Sequence, residues 1–437
     1  MVTGCLVLIT FLLVSSADAD DWGHWRGVKG NGVAKASPPT DWSDSKNVKW
    51  KIAIDGKGSG SPIIWGDKLF VVTGVPMVKA GSESPRAGGG GARGGRRGGG
   101  RPAAPGELEL KVLCFDRNNG KLLWEQTAAK VKPKSGIHAD NNFASASPCT
   151  DGEHLYAHFG SNGLFCYSLD GELKWKREDF APMTTRGSFG EGSSPTLAGD
   201  MIIVPYDHEG DSFLYAIDKK TGKDIWKVAR DEPTNWATPI IVEHDGKQQI
   251  VMNGHNYARA YDLKTGDELW RCSGQVERPC ATPVVSDDIV VVTSGHRGAF
   301  MGAFKLDGKG DIKGSKHVAW SLNRDTPDIA SPVLSDNRLY FTKGKDAILS
   351  CYDVKTGKPF YTATRVPGLQ KLYASPVIAG GNVYITDRRG TTVVIKDSEN
   401  FEVVATNSVG ETVDATPAPV DKLLYIRGEK HLFCIGK

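Results

Sequence analysis

The stretch YDLKTGDELW, Tyr261 to Trp270, reads as an aspartate, a tight turn and a short strand that ends in tryptophan. Nearly the same phrase recurs: AIDKKTGKDIW ends at Trp226, CFDRNNGKLLW at Trp124, YSLDGELKW at Trp175 and CYDVKTGKPFY at Tyr361. A phrase written this often is a building unit, so it predicts architecture before it predicts chemistry. The glycine of KTGK or KTGD supplies the left-handed backbone of the turn, and the aspartate before it bonds back onto the turn amides. The closing tryptophan then stands on an outer strand, where a large ring fills the wedge between neighbouring units. Trp50, Trp124, Trp175, Trp226, Trp270 and Trp320 are assigned that packing role.

A second phrase travels with the first. Ser or Thr followed by Pro and an apolar run occurs at Pro62, Pro148, Pro195, Pro239, Pro283, Pro332, Pro376 and Pro417. Successive prolines lie roughly 41 to 49 residues apart, except for the first interval. Four short strands per period of about 40 to 45 residues is a propeller blade. No stretch holds a helical apolar period for three turns, so a helical solenoid is excluded. The expected fold is all-β, a single eight-bladed propeller of four-stranded antiparallel blades over residues 47–437. The last repeat stops after three strands, while NVKWKIAI (Asn47 to Ile54) has the look of an outer strand missing the other three. The N-terminal strand is therefore expected to close the last blade and remove a free sheet edge.

Outside the repeats, the first nineteen residues carry an apolar run from Cys5 to Val14 and the small-residue pattern Ala17-Asp18-Ala19. They are expected to be a signal peptide, which makes the protein exported, to the periplasm or cell envelope, with no membrane span after the signal. Residues 20–46 are expected to be an N-terminal extension, and deletion of residues 20–40 is expected to cost far less than loss of the closing strand. Residues 78–106 are Gly-dominated and carry Lys79, Arg86, Arg93, Arg96, Arg97 and Arg101 against Glu83. They are expected to be a disordered insertion in blade 1, because such a segment buries too little apolar area to offset its ordering entropy. Net charge is +3 with no basic stripe on the repeats, so no nucleic acid is expected as a partner, and the chain is expected to be a monomer.

Seven cysteines follow the signal. Cys114, Cys166, Cys351 and Cys434 occupy one repeat position at which other units place Ala216, Ala260 and Ala303. A position that takes Cys or Ala wants a small buried side chain, so free thiols and no disulfide are expected. No Cys/His spacing suggests a metal site.

Loops that enter the inner strands, and turns between second and third strands, open on one face of a propeller. This chain places polar groups there: His138, Asp140 and Asn142; Glu191; Asp207 and His208; Asn235 and Trp236; His255; Arg278; His296 and Arg297; and Arg388. These are the ligand-binding candidates. Polar turns are the rule on any surface, yet a concave rim with convergent polar groups is the default place for a ligand. The Ser before each Pro recurs in most units and is therefore structural, so no catalytic residue is assigned.

The Ser/Thr-Pro and TGxxxW phrases together resemble the pyrroloquinoline-quinone-like (PQQ-like) repeat of bacterial quinoprotein alcohol dehydrogenases and of the barrel-assembly propeller lipoprotein. The resemblance covers about Asn47 to Lys437, and the opening WGHWRGVKGNGV (Trp22 to Val33) is similar to that of exported PQQ-binding-like proteins. It implies either a non-catalytic propeller that binds a protein or extended ligand on its loop-rich face, or a quinone-dependent oxidoreductase. The family's dehydrogenases clamp the quinone between a tryptophan and a disulfide of adjacent cysteines, beside a calcium ion. Here Trp236 would stack on the quinone while Glu191, Asn142 or Asp207 hold calcium, but the chain has no adjacent cysteine pair. The non-catalytic reading is therefore preferred, with quinone and calcium as the alternative cofactors.

Overall fold

Continuous burial of aliphatic residues against both neighbouring blades on the inner strands, giving way to alternation with charged residues on the outer strand, shapes the repeats. Blade 1 is typical: Ile63–Trp65, Lys68–Pro76, Leu108–Asp116 and Leu122–Val131 run from axis to rim, and burial falls from nearly complete to alternate. The computed structural model describes residues 21–43, 45–77, 106–133 and 137–437. The expected signal segment and residues 78–105 of the expected insertion lie outside the described residues.

Eight sheets form, each built on four antiparallel strands in the order of the repeat. Two gain a short parallel addition: Gly310–Asp311 beside the outer strand of blade 4, and Val33–Ala34 beside the inner strand of blade 7. Blade 8 takes its outer strand from Val48–Ala53, antiparallel to His431–Ile435 with Trp50 opposite Cys434, so the N-terminal strand closes the ring as expected. The thiols of Cys114, Cys166, Cys351 and Cys434 all sit mid-blade, opposite Phe70, Tyr156, Tyr340 and Tyr425. All seven described cysteines are free.

The repeated phrase now has a physical reason. Trp50, Trp124, Trp175, Trp226 and Trp320 each donate their indole N–H to a carbonyl in the next blade's turn: Arg117, Leu169, Lys219, Leu263 and Val354, at 2.8 to 3.1 Å. The turn glycine of that next blade lies flat against the same ring. A Cβ on Gly120, Gly171, Gly222, Gly266 or Gly357 would meet the tryptophan at 3.0 Å or less, on backbone that is left-handed. Glycine is thus required twice, for the turn and for the close approach. Trp270 departs from this scheme: it is fully buried with no partner for its N–H, and the carbonyl of Leu306 accepts from Gln249 instead.

Residues 21–43 are a strap across the face opposite the entering loops. Trp22 pairs with Ile64 of blade 1, Gly23 with Thr150 of blade 2, and Gly32 with Ile378 of blade 7, while Arg26 donates to the carbonyl of Pro332 in blade 6. Trp22, Arg26 and Trp42 are almost wholly buried. The segment is part of the core. It carries no repeat pattern because it packs across the blades rather than within one.

Candidate functional site

The chain enters each blade through three residues before the proline, and their alternation builds the axial cavity. The Ser or Thr points toward the axis, the small residue before it points away, and the residue before that points to the axis again. The Ser and Thr form a belt. Ser61 N–H donates to Ser147 Oγ, Ser147 to Ser194 and Ser194 to Thr238; farther round, Thr282 donates to Ser331, Ser331 to Ser375, Ser375 to Thr416, and Thr416 back to Ser61 Oγ. These seven links measure 2.9 to 3.1 Å. The eighth, from Thr238 to Thr282, is absent, and Thr282 Oγ1 has no partner. The structural role expected of these hydroxyls is borne out.

Above the belt, one residue per blade lines a funnel of about 460 Å³: Ser59, Ser145, Gly192, Trp236, Cys280, Ile329, Tyr373 and Asp414. Trp25 of the strap forms part of its lining. Of the candidates, His138, Asp140, Glu191, Trp236 and His296 share the funnel wall. His138 stacks on Phe189 at 4.8 Å between centroids, and Trp236 meets the same ring edge-on while donating its N–H to Gly190. Arg278 backs this cluster, lying over Phe189 at 5.1 Å and bonded to His296 Nε2 at 2.5 Å. Burial, then the charge of Arg278, hold the His296 pKa below its usual value.

The opposite wall is an ion network. Arg388 forks onto Asp414 at 2.7 and 3.0 Å, reaches Asp140 at 2.8 Å and lies over Tyr373, whose hydroxyl also donates to Asp140. Burial disfavours charge on Asp140, yet Arg388 and Tyr373 outweigh it and hold the carboxyl below the usual range. At Asp414 burial wins over Arg388, and the pKa is raised. Glu191 accepts from Ser161 N–H at 2.5 Å and its hydroxyl at 2.6 Å; burial nevertheless raises its pKa.

The other candidates do not reach the funnel. Asp207 is locked by the fork of Arg230 at 2.8 and 3.0 Å and by Asn235, whose own carbonyl oxygen caps Ala237. Asn142 caps Ala144 and bonds Ser59. His208 ties its own loop together, accepting from Thr184 and Gly210. His255 accepts from the amide of Arg278, and Arg297 is exposed beside Glu277. Of the turn histidines at like positions in consecutive blades, only His296 reaches the cavity. Missed from sequence were Phe189, Cys280, Ile329 and Tyr373; the signal was present, since the last three stand two residues before the belt Ser or Thr.

The calcium-quinone set does not fit. Glu191, Asn142 and Asp207 each spend their oxygens on protein donors, and among the described residues no three His, Cys, Asp or Glu side chains converge to hold a metal ion. No helix of the described residues is long and apolar enough to cross a membrane.

No protein of curated function matches the sequence. The structure is similar to BamB from Moraxella catarrhalis, with a TM-score of 0.55 at 12% identity over 89% of this chain and 96% of that one. It is also similar to the quinohemoprotein alcohol dehydrogenase from Comamonas testosteroni, with a TM-score of 0.63 at 10% identity over 96% of this chain and 81% of that one. At such identities these likenesses speak of the fold alone. The sequence itself matches the family model described as outer membrane protein assembly factor BamB over residues 109–363, more than half of its length. With the eight-bladed ring of PQQ-like repeats already in view, this chain belongs to that family.

Proposed function

We propose that the protein is an exported, non-catalytic binding propeller that receives an extended segment of its ligand in the axial funnel. One observation carries the reading: the funnel wall has seven different side-chain types at one position of the eight blades, and the acids around it are already committed. Asp140 and Asp414 share Arg388, Glu191 serves Ser161, and Asp207 serves Arg230. Such groups hold the rim in shape, and none is a free base beside a nucleophile. Aromatic faces from Phe189, Trp236 and Tyr373 supply the apolar contact that fixes a ligand, with the ion network giving orientation. Export rests on the expected signal segment and on the family's envelope role.

The test uses a filled funnel. Gly192 faces the cavity, and a Cβ there meets nothing closer than Trp236 at 3.4 Å, so Gly192→Trp should fold and occupy the space. Wild-type protein offered to an envelope extract should retain a ligand that the equally stable Gly192→Trp loses. Retention by the filled variant would sink the reading. Added pyrroloquinoline quinone with calcium should leave the melting temperature unchanged, whereas a tight ligand at a hundredfold excess over its Kd stabilises by about 2.7 kcal/mol. A saturable rise would overturn the proposal in favour of an oxidoreductase.

A further inference from the structure

Apart from Arg427, the buried arginines among the described residues have hydrogen-bond partners, and Arg26 donates to the carbonyls of Asn31 and Pro332. Arg230 is forked by Asp207, and Arg259 is held by Asp231, Glu232 and Glu268. Arg427 is the contrast. It ends the second strand of blade 8, is 1% exposed, and none of its three guanidinium nitrogens has a hydrogen-bond partner. Glu411, whose charge reaches it, is spent elsewhere, accepting from the amides of Lys430 and His431 and from the His431 ring. Burial pushes the Arg427 pKa down to about 10, so the group still carries its charge at neutral pH. An unpaired charge held out of water is destabilising, and a bound anion would offset that cost.

The space for one is present. Arg427 lines a side cavity of about 150 Å³ between the entering loop of blade 1, the turn of blade 8 and the Asp140–Arg388–Asp414 network. Ser59, Asp140, Asn141 and Asp414 line both this cavity and the funnel, so the two adjoin. Of the acids lining the side cavity, Asp140 and Asp414 are taken by Arg388, and Glu429 lies exposed 3.8 Å from Lys57. At roughly 30 Å³ per liquid water, the volume takes a small oxyanion with a few waters.

We infer that Arg427 is an anion-binding residue, and that the side cavity receives an oxyanion, carboxylate or phosphate, on the funnel ligand. Five N–H donors in a planar fork suit a group that accepts two parallel bonds. The inference rests on the funnel reading only for the route by which the ligand arrives.

Thermal melts in acetate, succinate or inorganic phosphate, each against chloride at equal ionic strength, test it. Wild type should rise by several degrees in at least one oxyanion, and the comparison of succinate with phosphate tells which source fits. Arg427→Met should melt no lower than wild type in chloride and lose the oxyanion-dependent rise; Arg427→Lys, which keeps the charge without the fork, should show a reduced rise. No rise in any oxyanion, or an undiminished rise in Arg427→Met, overturns the inference. Should Arg427→Met fail to fold, an undiminished rise in Arg427→Lys does so. Gly192→Trp leaves the side cavity lining untouched, so loss of extract binding there with the oxyanion response intact separates failure at the funnel from failure at Arg427.

Discussion

A single hydroxyl can be worth more to this fold than its size suggests, because every belt Ser or Thr except Thr282 is the acceptor for the preceding blade's buried amide. Ser147→Ala strands the amide of Ser61 and should cost about 1–3 kcal/mol, the usual result of leaving a buried donor unmade. Thr282→Val is the internal control: its Oγ1 accepts nothing, so equilibrium urea unfolding should show little change. Equal losses for the two would mean that the belt contributes nothing through its bonds. Glu191 supplies a pH dependence of known sign. Its native pKa lies above the ordinary value of 4.5, so the native state binds the proton more tightly than the unfolded chain does. Stability from this group therefore rises as pH falls through the native pKa and levels off below about 4.5. The melting temperature of Glu191→Gln relative to wild type should be highest near pH 8 and decline toward pH 4.5, and a flat difference would contradict the assignment.

At the scale of strands, the outer strand of blade 8 bears the closure. Trp50 packs on Tyr425, donates to the Arg117 carbonyl and covers Gly120. Trp50→Ala should cost about 3 to 5 kcal/mol, the range for truncating a buried tryptophan, measured by chemical denaturation. Blade 1 offers the opposite case. Its second and third strands pair out to Pro76 and Leu108, and the Met77 amide donates to the Glu107 carbonyl at 2.7 Å. The ends of residues 78–106 are thus already held together. Replacing that segment with a four-residue turn shortens the loop about sevenfold, which on loop-closure entropy is worth under about 2 kcal/mol of stabilisation. A marked fall in melting temperature would show that the segment contributes to the fold. Strand order and closure were legible in the sequence because both depend on what is alike in every repeat. The funnel wall was not, for the same reason: Ser, Gly, Trp, Cys, Ile, Tyr and Asp share one register, and a search for sameness discards them.

For the molecule as a whole, the strap was least legible in the sequence. Trp22, Arg26 and Trp42 belong to no repeat, and their burial comes from lying across blades 1, 2, 6 and 7 at once. Deleting residues 21–43 removes Trp25 from the funnel lining and exposes the inner strand ends. It should lower the melting temperature about as severely as Trp50→Ala, and a near-wild-type melt would show that the inner ends are stable without cover. Closure has a further consequence, which concerns time. The strand Val48–Ala53 is made before any blade, and its partner His431–Ile435 comes last. From the first to the last of these residues, the growing chain carries an unpaired, half-apolar edge. Every shortened product that lacks His431–Ile435 keeps that edge open, prone to pair with a stranger. The ring can shut only on a chain that has been read through to the third strand of blade 8, so the fold proofreads the reach of its own synthesis.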